Sequence, residues 1–443
     1  GGDPMPQSFR ADSREVERGG VFIAMRGERT DGHEYIEDAV RRGASVVILE
    51  EGWYWRNAEG LKDLGASVIP VEDPERSVAL LAERWLGMVS PKVVGITGSV
   101  GKTTTRELLH GAIKDHMRAH SAVKSYNTMI GCSMTVLSMP GDTETLILEL
   151  GTNHPGEIRA MVGKFPVTHG VITEITEVHL DGLKSIDGVL AAKMELTDSR
   201  DLEFLSYNND NEALSAAVSS IRRPLRVVSV GARRSDVTVS DIKQSIGEDG
   251  TPLLSLVISS RGEDLRCEAR FFGVQHAKNI AYAYSAARDL GVPGEIFADA
   301  VRRVDAPRGR GRIFRTADGM IIDETYNASP GSMSYALKNV LGIELAGDVR
   351  KIAILGGMRE LGAESDRWHE VIMSRASLFD EVYLIGSEWD GVETKQGALR
   401  GRWRDADGFL NDFDPASASG AIVLVKGSRS YGLERILPLL GVV

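Results

Sequence analysis

The sequence predicts a three-domain α/β protein. A small N-terminal α/β domain spans residues 1–89, a central domain spans 90–306 and a C-terminal Rossmann-like α/β domain spans 307–443. The central domain reads as a P-loop ATPase-like parallel sheet with a small antiparallel β extension. Three observations lead there. Apolar β-rich runs alternate with stretches of helical spacing along most of the chain. The stretch "GITGSVGKTTT", Gly95 to Thr105, puts a glycine-bearing turn between one such run and a helix. From about Leu225 to Phe272 the helical spacing stops and alternating segments follow one another.

In the first region "GGVFIAM" and "ASVVILE" read as short strands, with "HEYIEDAVRRG" a helix between them that ends at glycine. The helix "RSVALLAERWLGMV" leads to "SPK", a linker. "KVVGIT" then opens the central sheet, and "KTTTRELLHGAIKDHM" has helical spacing. "ETLILEL" and "HGVITEI" read as buried parallel strands. "DVTVSDI", "PLLSLVIS" and "LRCEARF" form the antiparallel extension, and a helix follows in "KNIAYAYSAARDLGV". In the third region "MIIDET", "RKIAILGG", "EVYLIG" and "AIVLVKG" are strand candidates of a second open sheet.

Composition narrows the partners. The 443 residues are 42% hydrophobic and 26% charged, as in an ordinary globular protein. A net charge of -11 argues against nucleic acid or an anionic membrane as the main partner. The two cysteines, Cys132 and Cys267, give neither metal-ligand spacing nor a disulfide framework. Nothing resembles a signal peptide, and the longest uncharged run, Ser125 to Gly141, carries Asn127 and several hydroxyls. A cytoplasmic monomer without membrane insertion is expected.

The loop is unusual. The common phosphate-loop pattern is G-x-x-x-x-G-K-[ST]. Ile96 stands where its first glycine belongs, and Gly98 lies three residues before Gly101. The context is still right, because backbone N–H groups and the helix dipole at a strand-to-helix turn favour an anion. Gly98 and Gly101 let the backbone approach phosphate oxygens, with Ser99 and Thr104 in the same segment. Lys102 would neutralise β/γ-phosphate charge, and Thr103 could place a hydroxyl on Mg2+.

Other candidates are less specific by themselves. Glu149 ends the strand "LILEL", where a carboxylate is either a solvated terminus or a Mg2+ ligand. His179 follows "GVITEI", and a lone histidine is commonly structural. Lys193, in "LAAKMEL", has the setting of a lysine snorkelling at a helix edge. Asn279, in "GVQHAKN", suits either a purine edge or a helix start. The arginines of "PRGRGRIF" could be solvated loop charges. Ser13 and Arg14 could be turn caps, and Lys426, Ser428 and Arg429 could form a surface turn.

"TGSVGKTTT" resembles the T-G-x-x-G-K-T-[ST] loop of the Mur ligase superfamily, the ATP-dependent amide ligases of bacterial cell-wall synthesis. "SYNTMIG", "LELGTNHPGEI", "EVHLDGLKSIDGVLAAKMEL", "DETYNASPGSM", "LGGMRELGAES" and "VLVKGSRS" follow in the family's order. "DSREVERGGVFIAMRGERTDGHEYI" is similar to its uridine-nucleotide-binding domain. Within the family, "ELGTNHPGEI", "LGGMRELG" and "KGSRS" look most like members that add D-alanyl-D-alanine to UDP-N-acetylmuramoyl-tripeptide, and the D-N-P-R motif of the diaminopimelate-adding relative is not seen.

The resemblance implies ATP, Mg2+ and those two substrates. It implies Thr103, Glu149, His179 and Lys193 as the metal site, with His179 on a second Mg2+ and Lys193 carbamylated by CO2, which requires a lowered lysine pKa. Lys102, Glu149, His179, Lys193 and Arg312 form the implied catalytic set, Arg312 reaching the γ-phosphate when the third domain closes. Asn279 would meet adenine, and Asp323 and Tyr326 the nucleotide or hinge. Asn127, Thr152, Asn153 and His154 would line the muramoyl-peptide channel, joined by Asn327 of the Y-N-A motif. Ser13 and Arg14 would contact the nucleotide sugar. Lys426, Ser428 and Arg429 would take the dipeptide carboxylate.

Several positions depart from the family pattern. Gln275 and His276 replace its His and Asn, Glu174 replaces an Asn, and Ser329 replaces the second Asn after Tyr326. Family members usually carry a further helix and strand ahead of the segment "GGDPMPQ". The implied reaction runs through an acyl phosphate, and no general base is evident. The competing readings are a plain nucleotide hydrolase or kinase, another ligase of the superfamily, and a non-enzymatic nucleotide-binding regulator.

Overall fold

A computed structural model describes residues 8–442 apart from 28–29, 248, 317–318, 345–348 and 394–396. The segment "GGDPMPQ" lies outside the described residues. The first sheet has four parallel strands in sequential order, β1 (Phe9–Arg10), β2 (Val21–Ile23), β3 (Val46–Glu50) and β4 (Ser67–Val71). The helix Ile36–Arg42 ends at Gly43, whose φ of +116° gives the left-handed cap expected of glycine there. Phe22, Ala24, Ile36, Ala39, Val47 and Leu49 form the small core beneath it. β1 and β4 are additions to the strands legible in the sequence. β1 has two residues, and β4 is a half-exposed edge carrying Pro70.

The helix Pro74–Val89 starts from an Asp73 cap with proline in its first turn. It packs through Ala82 and Leu86 on Cys132 and Val136 of the helix Met129–Leu137. The central sheet comprises β5 (Lys92–Thr97), β6 (Ala119–Ser121), β7 (Thr145–Glu149), β8 (His169–Ile172), β9 (Phe204–Asn208), β10 (Arg226–Gly231), β11 (Val237–Ile246), β12 (Pro252–Ser260) and β13 (Glu263–Ala269). Its order is β13-β12-β11-β10-β9-β8-β5-β7-β6. β6 to β10 join β5 in parallel, while β12 is antiparallel to both β11 and β13. The antiparallel extension is continuous with the central sheet, because β11 pairs in parallel with β10.

Side chains alternate between two cores. Val94, Ile96, Ile147 and Val171 face the helices Lys102–Ile113 and His276–Asp289. Val93, Leu146, Leu148 and Ile172 face Met129–Leu137 and Glu157–Lys164. β5 lies between β8 and β7, where the chain's connections leave in opposite directions. That switch point is where open α/β sheets place ligands.

The third sheet comprises β14 (Arg312–Arg315), β15 (Met320–Glu324), β16 (Lys351–Gly356), β17 (Glu381–Ile385), β18 (Leu399–Trp403) and β19 (Ile422–Lys426). Its order is β14-β15-β19-β16-β17-β18, and only β14 runs antiparallel. Helices cover both faces, over cores around Leu337 and Ile372 on one side and Phe409 and Leu433 on the other. Among the described residues no helix is long and apolar enough to cross a membrane.

Candidate active site

A cleft of about 1300 Å³ opens between the central and C-terminal sheets. The phosphate-type loop forms part of its wall. Gly98 and Gly101 have φ of +142° and +91°. A Cβ on Gly98 would fall 2.0 Å from Thr173 Oγ1, and one on Gly101 would fall 2.5 Å from Asn279 Oδ1. The glycines therefore serve close packing as well as backbone conformation. Behind the loop, Ser99 N–H donates to the Glu174 carbonyl at 2.6 Å and Ser99 Oγ to the Thr176 carbonyl at 2.8 Å. Thr173 Oγ1 donates to the Val100 carbonyl at 2.7 Å. These bonds explain why "HGVITEI" leaves strand geometry after Ile172, as the backbone beyond it is committed to the loop. Glu174, without a role in the sequence reading, also accepts from Asn208 Nδ2 at 2.9 Å.

Thr103 is the hub of the site. Its hydroxyl donates to Glu149 Oε2 at 2.8 Å and lies 3.0 Å from Ser125 Oγ. It also accepts from Arg310 Nη2 at 2.9 Å. One donor and two acceptor directions are all a hydroxyl has. Glu149, 2% exposed at the end of β7, also meets Asn127 Nδ2 at 3.4 Å. Lys102 Nζ donates to the Gly98 carbonyl at 2.6 Å, curling back over its own loop. Burial pulls its pKa down, with Glu149 opposing and Arg310 adding to the shift.

Lys193 is 1% exposed, and no hydrogen bond or ion pair holds it among the described residues. Burial drives its pKa well below the ordinary lysine value, helped by the charge of Lys102. On the far side of the loop, Asn279 Nδ2 donates to His276 Nδ1 at 3.1 Å. Burial first, and then Arg310, lower the His276 pKa to about 4, so its ring is neutral and able to accept that bond.

The segment entering the third sheet brings a different arginine to the cleft from the one expected. Arg312 Nε donates to the Ala306 carbonyl at 2.8 Å, within its own connecting segment. Arg310 instead reaches Thr103, and its guanidinium stacks 4.0 Å from the Tyr326 ring centroid. Asp323, buried at the end of β15, holds two turns beside it. Its Oδ2 accepts from Gly309 N–H at 3.0 Å and its Oδ1 from Thr325 N–H at 3.1 Å.

Across the cleft, His179 Nδ1 pairs with Glu360 Oε2 of the C-terminal domain. Glu360 did not stand out in the sequence, although it lies within the segment "LGGMRELG". Lys426 Nζ is held by Glu324 Oε2 and the Asn327 carbonyl, each at 3.0 Å, and Ser428 Oγ accepts from Arg359 N–H at 3.0 Å. Arg429 and Asn327 line the same cleft.

Other expected contacts lie apart from it. The Thr152 hydroxyl and the Asn153 and His154 N–H groups all converge on Glu157 Oε2, at 2.9, 2.7 and 3.1 Å. Burial opposes ionisation of Glu157, but these donors hold its pKa low. Ser13 is buried and donates to Asp38 Oδ2 at 2.9 Å, whereas Arg14 is exposed and paired with Asp12 at 2.7 Å. Beside them, Glu15 pins the first domain to the central one through Lys124 and through Tyr126 Oη at 2.7 Å.

Comparison with known proteins covers the same three parts. Residues 8–86, 96–287 and 309–429 match, in turn, the Mur ligase family catalytic domain, the Mur ligase middle domain and the Mur ligase glutamate ligase domain. The UDP-N-acetylmuramoyl-tripeptide–D-alanyl-D-alanine ligase of Bacillus subtilis is 29% identical, over 96% of this chain and 91% of its own. The enzyme of that name in Escherichia coli is 26% identical, over 99% and 94%. A MurF ligase from Thermotoga maritima, solved in complex with ADP, superposes with a TM-score of 0.78 at 26% identity, covering 98% of this chain and 97% of that one.

Proposed function

The chain belongs to the Mur ligase family, and from that premise we propose that it joins D-alanyl-D-alanine to UDP-N-acetylmuramoyl-tripeptide, converting ATP to ADP and phosphate. One observation carries this beyond the likeness. A phosphate loop from one domain and, from another, a strand end with buried Lys426 and, just beyond it, exposed Arg429 face a single cleft. A plain nucleotide hydrolase has no use for the second of these.

In the reaction, the tripeptide carboxylate attacks the γ-phosphorus and the bond to the β-phosphate oxygen breaks, giving an acyl phosphate and ADP. The dipeptide amine then attacks the acyl carbon, loses a proton, and phosphate leaves. Two anions must meet in the first step, so cationic groups dominate. Lys102 sits at the loop, and Arg310 is the arginine facing it. Lys426, Ser428 and Arg429 suit the free carboxylate of the dipeptide. Domain closure brings these groups to one place and excludes water. Asn279 beside Gly101 is the proposed adenine contact.

The residues present fit Mg2+. The Thr103 hydroxyl and Glu149 carboxylate are hard oxygen donors 2.8 Å apart. Among the described residues no group of three or more His, Cys, Asp or Glu side chains could hold a metal. Most of an octahedral shell would thus fall to phosphate oxygens and water, the usual arrangement for this ion. Bound there, Mg2+ would neutralise phosphate charge, and His179 would serve a second Mg2+. A carbamylated Lys193 fits as well. A buried amine of lowered pKa is the form that reacts with CO2, and the product anion would face Lys102 instead of repelling it.

The test is ADP release from ATP and Mg2+ with UDP-N-acetylmuramoyl-tripeptide, with and without D-alanyl-D-alanine, together with the product mass. Release that needs both substrates and yields the dipeptide adduct is expected. Release without either substrate would make the protein a hydrolase.

A further inference from the structure

The contact between His179 and Glu360 is built, not incidental. The two residues come from different domains, and both have left-handed backbones, with φ of +52° and +64°. Non-glycine residues hold that conformation only where their surroundings impose it. Gly362, at φ +55°, is left-handed too, and a Cβ there would lie 2.8 Å from Asp181 Oδ1. Asp181 N–H also approaches the Glu360 carbonyl at 3.4 Å. The two turns therefore interlock through main chain and side chain.

The loop behind Glu360 is pegged from the C-terminal domain. His369, fully buried, donates from Nδ1 to the Ser365 carbonyl at 2.7 Å and accepts at Nε2 from Met358 N–H at 3.0 Å. Arg359 N–H is fixed on Ser428 Oγ. Glu360 is thus presented by a rigid support, and its carboxylate takes Nδ1 of His179. Nε2 of that ring has no hydrogen-bond partner among the described residues, and both residues line the cleft with Glu149 and Thr103.

We infer that Glu360 is a positioning residue that completes the metal site from the opposite domain. By accepting the Nδ1 proton, it fixes His179 in the tautomer whose Nε2 lone pair is free for a metal. Metal-bound histidines commonly give their other ring N–H to a carboxylate. Here that carboxylate arrives with the domain that closes, so His179 is oriented only in the docked arrangement. The inference rests on the proposed reading of His179 as a metal ligand.

The test uses the full chain with Mn2+ and a non-hydrolysable ATP analogue. Free Mn2+ is followed by electron paramagnetic resonance, and the His179 ring nitrogens are followed by 15N NMR, assigned with His179→Ala. Glu360→Ala is expected to weaken Mn2+ binding about 10–100-fold and to shift His179 towards a mixture of tautomers. Glu360→Gln, whose amide oxygen can still accept from Nδ1, is expected to restore most of both signals. Unchanged Mn2+ affinity and an unchanged tautomer in Glu360→Ala would overturn the inference while His179→Ala still weakens binding. If His179→Ala also binds Mn2+ normally, the metal-ligand reading falls first and takes the inference with it.

Discussion

Arg310 donates to the hydroxyl of Thr103 at 2.9 Å while its guanidinium rests on Tyr326. This places a cation from the boundary of the third domain on the residue that follows the loop lysine. In a phosphoryl transfer, a pre-placed guanidinium acts on charge that develops as the transferred group moves. Arg310→Ala is therefore expected to lower kcat by about 10²–10³-fold. Arg312→Ala, which frees only the Ala306 carbonyl, is expected to cost less than about tenfold. Steady-state ADP release at saturating substrates separates the two. Equal losses would return the role to Arg312.

Lys193 should show the opposite signs of a structural and a chemical role. Its folded pKa is depressed, so the unfolded chain binds the proton more strongly. In the unmodified protein, stability then rises with pH between the folded value and the ordinary lysine value. Lys193→Met removes that buried amine and is expected to raise Tm by a few degrees while abolishing ligation. Calorimetry and the ligation assay check the pair. A lower Tm would mean that the lysine is held by a favourable partner, as in the carbamylated state.

His276 sets an acid limit. Its folded pKa of about 4 lies below the unfolded value of about 6.5. Both states are neutral above that upper value, so the associated stability is fully present there. As pH falls towards 4, the unfolded chain takes up the proton first, at a cost approaching about 3 kcal/mol. Urea midpoints for the native protein should fall more steeply over this window than those for His276→Gln. Parallel curves would mean that the histidine titrates normally.

Gly98→Ala is expected to destabilise the protein by about 1–3 kcal/mol and to weaken nucleotide binding more than tenfold. Two causes combine, a backbone at φ +142° and a methyl group driven onto Thr173 Oγ1. Trimming the obstacle with Thr173→Ala should recover only part of the loss, since the backbone strain remains. Full recovery in nucleotide titrations of the double variant would show that only the clash matters.

Much of this was legible because it is local. The strand, displaced glycine and Lys-Thr pair around Gly101 announce themselves within eleven residues, Gly95 to Thr105. The strands β15, β16, β17 and β19 are apolar runs that no surface element imitates. What stayed hidden depends on pairing across the chain. Arg310 and Arg312 alternate in one short segment, and the register that pairs Arg312 with Asp323 is set by tertiary structure. Glu360 finds His179 across 181 positions, so no local pattern could mark it. β1 and β4 escaped notice for a different reason. One has only two residues, and the other is a largely exposed edge interrupted by Pro70.

The third sheet has an arrangement that matters while the protein is being made. β19 lies between β15 and β16, although it is the last strand in the order of the sequence. A nascent chain leaving the ribosome therefore displays β15 and β16 with their inner edges unpaired until Ile422–Lys426 emerges. Synthesis at about 5–20 residues per second leaves those edges open for several seconds. A chain released before Ile422 would lack not a rim but the middle of the sheet, together with Lys426. Premature termination would thus expose adhesive strand edges and remove a cleft residue in one event, making such fragments natural clients of chaperones and proteases.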